Sequence, residues 1–246
     1  GNMTMIDLDG PYGPEVTDIE KEFFLPDPQT ETEYAGGFAV AQLPCDPENA
    51  PDRLAGCTQP YLFASQRHWP AYRMFTVATG LGLILGRGNV PLLGLNFRVV
   101  EDRPYTGDVA LENPAIGDRV LAVHTTPPGL TRVDVSVDGH RIANKVIETV
   151  DLCNYPNILE VYRPEVGAAL ALVSCFGDNE LAVVDLGTFA VAQEVPLGDG
   201  PNDMAIDTLR HKLYVANVQD STISVVELDN RSPRYLRVVA RLATSL

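Results

Sequence analysis

The chain has 246 residues, 45% of them hydrophobic, and it carries 33 Asp and Glu against 18 Lys and Arg, a net charge of -15. A surface this acidic repels phosphate backbones and anionic lipids, which argues against nucleic-acid binding and against membrane association through basic residues. The most apolar stretch, Leu81–Leu95, is interrupted by polar, charged and glycine residues and is too short to span a bilayer, so we expect no membrane insertion.

Short apolar segments separated by glycines and prolines recur along the chain, and their composition predicts strands. In chain order they are Met3–Asp9, Tyr61–Ser65 with Tyr72–Thr79, Val120–His124 with Thr131–Asp138, Ala171–Cys175 with Leu181–Gly187, and Leu213–Asn217 with Ile223–Asp229. The last two pairs are related by a fixed offset, because Leu213 lies 42 residues after Ala171 and Ile223 lies 42 residues after Leu181. A fixed offset indicates a repeated all-β unit.

Further strand candidates between these pairs bring each unit to four strands in about 40–50 residues, the pattern of a β-propeller blade. The sequence therefore predicts an all-β fold, a β-propeller of four-stranded antiparallel blades, in a single domain over 1–246. The predicted segments are a half blade over 1–29 and complete blades over 30–95, 96–148, 149–197 and 198–246. A half blade leaves unpaired strand edges. We expect its missing strands to come from a second chain or from the rest of a larger propeller, of which this chain is a fragment or cleavage product.

The last repeats carry a recognisable motif. The segments Gly200–Asp207, Lys212–Asn217 and Ser221–Val226 follow one another as strand, strand end and apolar strand. This order, with Tyr-Val-Ala-Asn at 214–217, resembles the YVTN-type β-propeller repeat and departs from it only at the third position. The resemblance is good over 168–230 and weak over 30–167. It implies a propeller fold and a secreted or surface-attached protein, and it brings no catalytic signature.

The four cysteines bear on the redox compartment. Cys45 and Cys57 bracket a polar, proline-containing loop, where a disulfide would replace a missing core; the alternative is two unrelated buried thiols. Cys153 and Cys175 fall on one face of the predicted propeller, either bridged or as a pair of reduced thiols. Disulfides predict an extracytoplasmic location. The opening Gly1–Met5 shows no signal peptide, so the protein either stays inside the cell or has lost its signal.

Propeller geometry predicts that one loop-rich face gathers the binding residues. The residues predicted to share one repeat position on this face are Ser65, His124, Cys175 and Asn217. The candidate binding residues are Arg67, His68, Trp69, His124, Asn157, Asn202 and Asn217. The loop at 65–70 could bind an anion, a carbohydrate or a protein, because Trp and Arg side chains are the main contributors to binding hot spots. The alternative is a surface loop with Trp69 folded over the blade edge.

The sequence predicts no catalytic residue set and no cofactor or metal site. It lacks the G-x-S-x-G, H-E-x-x-H and C-x-x-C-H motifs. Calcium at acidic turns such as Asp178–Glu180 is an open alternative, although no EF-hand spacing is present. We therefore predict a non-catalytic extracytoplasmic module that binds a protein or glycan. The alternative is a lactonase-like or redox-linked propeller enzyme with a site in the central channel, where His124 with Glu101 or Asp102 is the nearest candidate set.

Overall fold

The computed structural model describes residues 3–7, 15–20, 35–44, 58–66, 71–78, 83–91, 106–125, 127–138 and 141–244. Within these ranges the chain forms eighteen strands, arranged in one two-stranded sheet and four four-stranded sheets. The described ranges contain no helix, and so no helix long and apolar enough to cross a membrane.

The strands of the first two four-stranded sheets are preceded by a short hairpin. That hairpin is β1 (Met3–Asp7) and β2 (Glu15–Glu20). The next sheet contains β3 (Ala35–Pro44), β4 (Thr58–Gln66), β5 (Ala71–Ala78) and β6 (Leu83–Pro91). The sheet after it contains β7 (Thr106–Leu111), β8 (Arg119–Thr125), β9 (Pro128–Asp138) and β10 (Arg141–Asp151).

The last two sheets contain the sequence repeats. The first of them, called the third sheet, contains β11 (Pro156–Tyr162), β12 (Leu170–Cys175), β13 (Glu180–Asp185) and β14 (Ala190–Pro196). The second, called the fourth sheet, contains β15 (Pro201–Asp207), β16 (Lys212–Asn217), β17 (Thr222–Glu227) and β18 (Val238–Ala243). In all four sheets the strand order follows the chain, as in a meander, which is how consecutive antiparallel strands pair when their connections are short.

The chain divides into two compact units, 1–122 with 132–147 and 123–131 with 148–246. The core of the first unit follows from strand alternation, since Ala39, Ala41 and Leu43 on β3 are buried while the residues between them are exposed. Tyr72 presents its ring edge-on to Phe63, with the ring centroids 5.8 Å apart. Such aromatic pairs add stability beyond the area that they bury.

The core of the second unit draws on both the third and the fourth sheet. Strand β12 is buried along its whole length, whereas the outermost strand β14 is mostly exposed. The buried core residues are Tyr162, Leu170, Leu172, Leu181, Val183, Val195, Leu197, Met204, Leu213, Val215, Val226, Leu228 and Leu236. Because each such side chain contributes about 1.5–3 kcal/mol when it leaves water, this shared cluster stabilises the two sheets together.

The architecture confirms the predicted fold class: the chain is all-β and consists of four-stranded antiparallel sheets with one additional two-stranded sheet. One detail of the predicted repeat alignment was wrong. In the β3–β6 sheet and in the third and fourth sheets, the first pair joins Gln66 to the start of β3, Cys175 to Pro156 and Asn217 to Pro201. Gln66 is thus the equivalent of Cys175 and Asn217, and Ser65 lies one residue earlier. The next strand begins five residues after Gln66, Cys175 and Asn217 alike, and all three first strands have a register shift just after the pair, which the sequence does not reveal.

Candidate functional site

Two asparagines at equivalent repeat positions meet at one end of the third and fourth sheets. Asn157 and Asn202 each follow the proline that begins β11 or β15. Asn157 Nδ2 donates a hydrogen bond to Asn202 Oδ1 at 2.8 Å, across a sequence separation of 45 residues. Asn157 is buried and Asn202 is half-buried. We call these two residues the asparagine pair.

The backbone before each asparagine explains why the two meet. Tyr155 and Gly200 both adopt the left-handed conformation, with φ of 51° and 66°. We call the segment that precedes the first strand of each of these two sheets the linker. A left-handed residue followed by proline turns the linker sharply into that strand. At Gly200 this conformation carries no steric penalty, whereas Tyr155 is held in it by its surroundings. Its carbonyl, for example, accepts a hydrogen bond from the Phe176 backbone N–H at 3.0 Å.

A carboxylate in the second hairpin of each sheet fixes the linker. Asp178 accepts hydrogen bonds from the backbone N–H and the side-chain amide of Asn154, at 2.8 and 3.0 Å. These two bonds hold the pKa of Asp178 below its usual value. In the next repeat, Asp220 accepts a hydrogen bond from the Asp199 backbone N–H at 3.0 Å. The hydrogen bonds from the Thr222 hydroxyl and from Asp199 likewise lower the pKa of Asp220.

A second contact joins linker and strand in each repeat, with different chemistry. In the third sheet, Cys153 and Cys175 form a disulfide, one of the two alternatives that the sequence left open. At the equivalent place in the fourth sheet, a Cβ atom added to Gly198 would lie 2.5 Å from Asn217 Nδ2. That amide donates to the hydroxyls of Thr222 and Ser224, each at 2.9 Å. Asn217 Oδ1 is buried and has no partner among the described residues.

His124 is buried, and each of its two ring nitrogens lies within hydrogen-bond distance of another residue. Its Nδ1 lies 2.6 Å from the Pro127 carbonyl oxygen, and its Nε2 lies 2.9 Å from the Thr131 hydroxyl. Burial lowers the pKa of His124, against smaller raising effects from Pro127 and Asp151. A Cβ atom on Gly129 would come within 2.8 Å of the imidazole ring. The ring is therefore held neutral and tightly packed, an arrangement that suits a structural histidine better than a binding one.

The remaining predicted residues lie elsewhere. Arg67, His68 and Trp69 fall outside the described residues, as do Cys45 and Cys57. Among the described residues, one group of metal-type ligands comes together, Cys153 and Cys175 with Glu180, and its two sulfurs are joined to each other. Burial, with Glu194 and Asp178 nearby, raises the pKa of Glu180.

Two acidic turn residues, one of them in the candidate calcium turn Asp178–Glu180, already have partners. Asp178 holds Asn154, as described above. Asp207 forms an ion pair with Arg210, with Oδ2 and the guanidinium 2.8 Å apart. Hydrogen bonds from the Arg210 side chain and backbone lower the pKa of Asp207. Both carboxylates therefore act within turns of the fold.

The asparagine pair can bind oxygen-rich, uncharged groups. An amide side chain carries two N–H donors and one carbonyl acceptor. After the bond between the two amides, the described residues leave one N–H of Asn157, both N–H groups of Asn202 and the Asn157 carbonyl for other partners. Fixed N–H donors of this kind can also stabilise an oxygen that gains negative charge during a reaction.

Sequence reasoning selected both asparagines but missed the contacts that position them. The acidic residues Asp178 and Asp220 lie at the same 42-residue offset as the strands, and this offset could have identified them. One further contact could not have been identified from the repeat offset. The Tyr162 hydroxyl lies 2.9 Å from His211 Nδ1, and the two residues are 49 apart in the chain.

No family model and no curated protein sequence matches this chain. Several solved structures are similar to it. The periplasmic gluconolactonase PpgL of Pseudomonas aeruginosa is 12% identical, with a TM-score of 0.62 over 100% of this chain and 64% of that one. A provisionally named 6-phosphogluconolactonase from Bacteroides uniformis is 12% identical, with a TM-score of 0.65 over 99% of this chain and 66% of that one.

The dihydro-heme d1 dehydrogenase NirN is also similar, with 12% identity and a TM-score of 0.58 over 100% of this chain and 44% of that one. The chain therefore spans less than two thirds of the length of each of these structures. At these identities the likeness concerns the fold alone. Together with the sheets described above, it defines the class of this protein as a β-propeller.

Proposed function

We propose that the chain is part of a lactonase-like β-propeller enzyme, with YVTN-type repeats, whose asparagine pair binds a hydroxylated lactone. The observation that carries this proposal is the bond of 2.8 Å between Asn157 and Asn202, which fixes several amide donors at one place. Two of the similar structures bear the names of sugar lactonases, which favours this alternative over the non-catalytic binding module.

The proposed reaction is the opening of a lactone by water. The water oxygen attacks the ring carbonyl carbon, whose oxygen takes up negative charge. The ring C–O bond then breaks, the ring oxygen takes a proton in place of the one that the attacking water gives up, and a hydroxy acid leaves. We assign to the asparagine pair the orientation of the lactone and the stabilisation of the charged oxygen, because its N–H donors are fixed before the reaction begins.

We further propose that this enzyme works outside the cytoplasm. The Cys153–Cys175 disulfide supports that location, since disulfides persist in oxidising compartments. The name of the periplasmic neighbour is consistent with it. The two-stranded sheet of β1 and β2 supports the related proposal that other strands complete this blade, from a second chain or from the remainder of the propeller.

The test is the rate at which the purified chain opens glucono-1,5-lactone, followed by acid release in a pH-stat above the spontaneous rate. We expect Asn202→Ala to lower kcat about a hundredfold, the usual effect of losing a fixed oxyanion donor. Thr208→Ala, an exposed change beyond the far end of β15, should keep the full rate. A wild-type rate equal to the spontaneous one, or an unchanged rate in Asn202→Ala, would overturn the proposal.

A further inference from the structure

A groove lies at the opposite end of the same two sheets. Strand β11 begins beside the asparagine pair and ends at Tyr162, five residues after Asn157, or about 17 Å along an extended strand. Around Tyr162 lies an open groove of about 340 Å³, which also borders Pro164, Glu165, Val166 and His211. We call it the Tyr162 groove. Its size is at the lower end of the range for small-molecule sites.

The walls of the groove are held by one contact between the two sheets and one within a loop of the fourth sheet. Asn230 Nδ2 donates to the Val166 carbonyl oxygen at 2.6 Å, which joins a loop of the fourth sheet to a loop of the third. Arg231 forms an ion pair with Asp229 at 2.9 Å. The groove is therefore formed before any ligand arrives, and a ligand need not order its walls.

The Tyr162–His211 contact sets the polar floor of the groove. The rings of Tyr162 and His211 meet edge to face, with centroids 6.4 Å apart. Burial and nearby carboxylates raise the pKa of Tyr162, so the phenol keeps its proton and can donate to His211 Nδ1. In that arrangement His211 carries its own proton on Nε2. No hydrogen bond within the described residues uses that second nitrogen.

Charge and polarity identify the kind of ligand. Two carboxylates, Glu165 and Asp229, line the groove with one guanidinium, Arg231, which pairs with Asp229, so the groove carries net negative charge. An anion would be repelled by Glu165 and by the net charge of -15. An ammonium group has only donors and cannot accept from His211. A hydroxyl both donates and accepts, so neighbouring hydroxyls can satisfy Glu165 and His211 together.

The apolar part of the groove completes this description. Val166 is 74% exposed, and Pro164 beside it is half-buried, so both present carbon surface to a ligand. A pyranose ring combines hydroxyl groups with an apolar C–H face. The geometry points to a second ligand site, in which the Tyr162 groove binds an uncharged sugar ring through Glu165 and His211, with its C–H face on Val166. This site is separate from the asparagine pair.

The test is saturation-transfer NMR with a panel of neutral methyl hexopyranosides in the glucose, mannose and galactose configurations, at millimolar concentration. Inorganic phosphate, followed by phosphorus line width, serves as the anionic probe. Two variants address the groove. His211→Asn keeps a residue that tolerates the left-handed backbone, φ of 51°, but removes the imidazole. Val166→Arg places a long side chain over the groove at an exposed position.

We expect at least one pyranoside to bind the wild type, and each groove variant to weaken it about tenfold or more, the effect of losing a hydrogen bond to a polar ligand or its apolar contact. Asn202→Ala should leave sugar binding unchanged and lower only lactone opening, and the groove variants should show the reverse. The inference is overturned if no pyranoside binds, if binding survives both groove variants with wild-type melting temperatures, or if phosphate binds there instead.

Discussion

In the third and fourth sheets, the linker before the first strand is held in the same place by different contacts. Both have a left-handed residue and a proline before the first strand, and both use a carboxylate of the second hairpin to hold the linker. They differ at one pair of equivalent positions. Cys153 and Cys175 are covalently joined, whereas Gly198 and Asn217 are only packed against each other.

The difference shows what the repeat requires and what it leaves free. In the third sheet a covalent bond holds the linker to the end of the second strand. In the fourth sheet the missing side chain of Gly198 makes room for the Asn217 amide, which hydrogen-bonds to Ser224 and Thr222. The backbone path is shared, so the asparagine pair is positioned alike from both sides. We conclude that the repeat fixes where the linker lies and not how it is attached.

Breaking the covalent contact should have the largest effect. In Cys153→Ser the unfolded chain regains the freedom of a loop closed by residues 22 apart, and we expect the free energy of unfolding to fall by about 3 kcal/mol. Urea unfolding under oxidising conditions, followed by circular dichroism, measures this loss. A double variant, Cys45→Ser with Cys57→Ser, controls for the other two cysteines. An unfolding midpoint equal to that of the wild type would contradict the role given to this disulfide.

Converting the fourth sheet to the chemistry of the third should have the next largest effect. We expect Gly198→Cys with Asn217→Cys to form a disulfide, because the Cβ of residue 198 would lie 2.7 Å from Asn217 Cγ, near where a sulfur would stand. The oxidised variant should be more stable than its reduced form by about 2 kcal/mol, less than an ideal bridge, because the Cβ of residue 198 would also lie 2.5 Å from Asp220 Oδ2 and strain the folded state.

Thiol titration and unfolding with and without reductant test this conversion. Gly198→Ala is the matched control, because its added Cβ meets Asn217 without any bond to compensate, and it should be destabilised. If the double variant keeps two free thiols after oxidation, the proposed equivalence between the two sheets is wrong.

These comparisons also show what the sequence could predict. The 42-residue offset and the alternation of apolar residues located the four-stranded sheets, because sheet formation depends on local periodicity. Side-chain surroundings depend on register and on distant neighbours. His124 was predicted to line a binding face, yet it packs in the core against Thr131. The contact between Tyr162 and His211 joins different repeats, and no local pattern specifies it.

The smallest expected effect concerns the feature that the two sheets share. Because hydrogen bonds lower the folded-state pKa of Asp178 and Asp220, their stabilisation is complete above the unfolded pKa of about 3.9 and is lost as the pH falls through the folded pKa. Asp178→Asn should lower the free energy of unfolding at neutral pH by about 0.5 kcal/mol, since the carboxylate is solvent-screened.

Asp220→Asn should show a deficit of the same sign. For both variants the deficit relative to the wild type should shrink as the pH is lowered, because the wild-type carboxylates then become protonated and lose their advantage. Melting temperatures measured across the acid range test this dependence. Asp199→Asn is the control, since its carboxylate makes no hydrogen bond among the described residues while its backbone N–H donates to Asp220. A deficit that stayed constant with pH would mean that the two aspartates act through shape alone, and that the shared attachment of the linkers is not electrostatic.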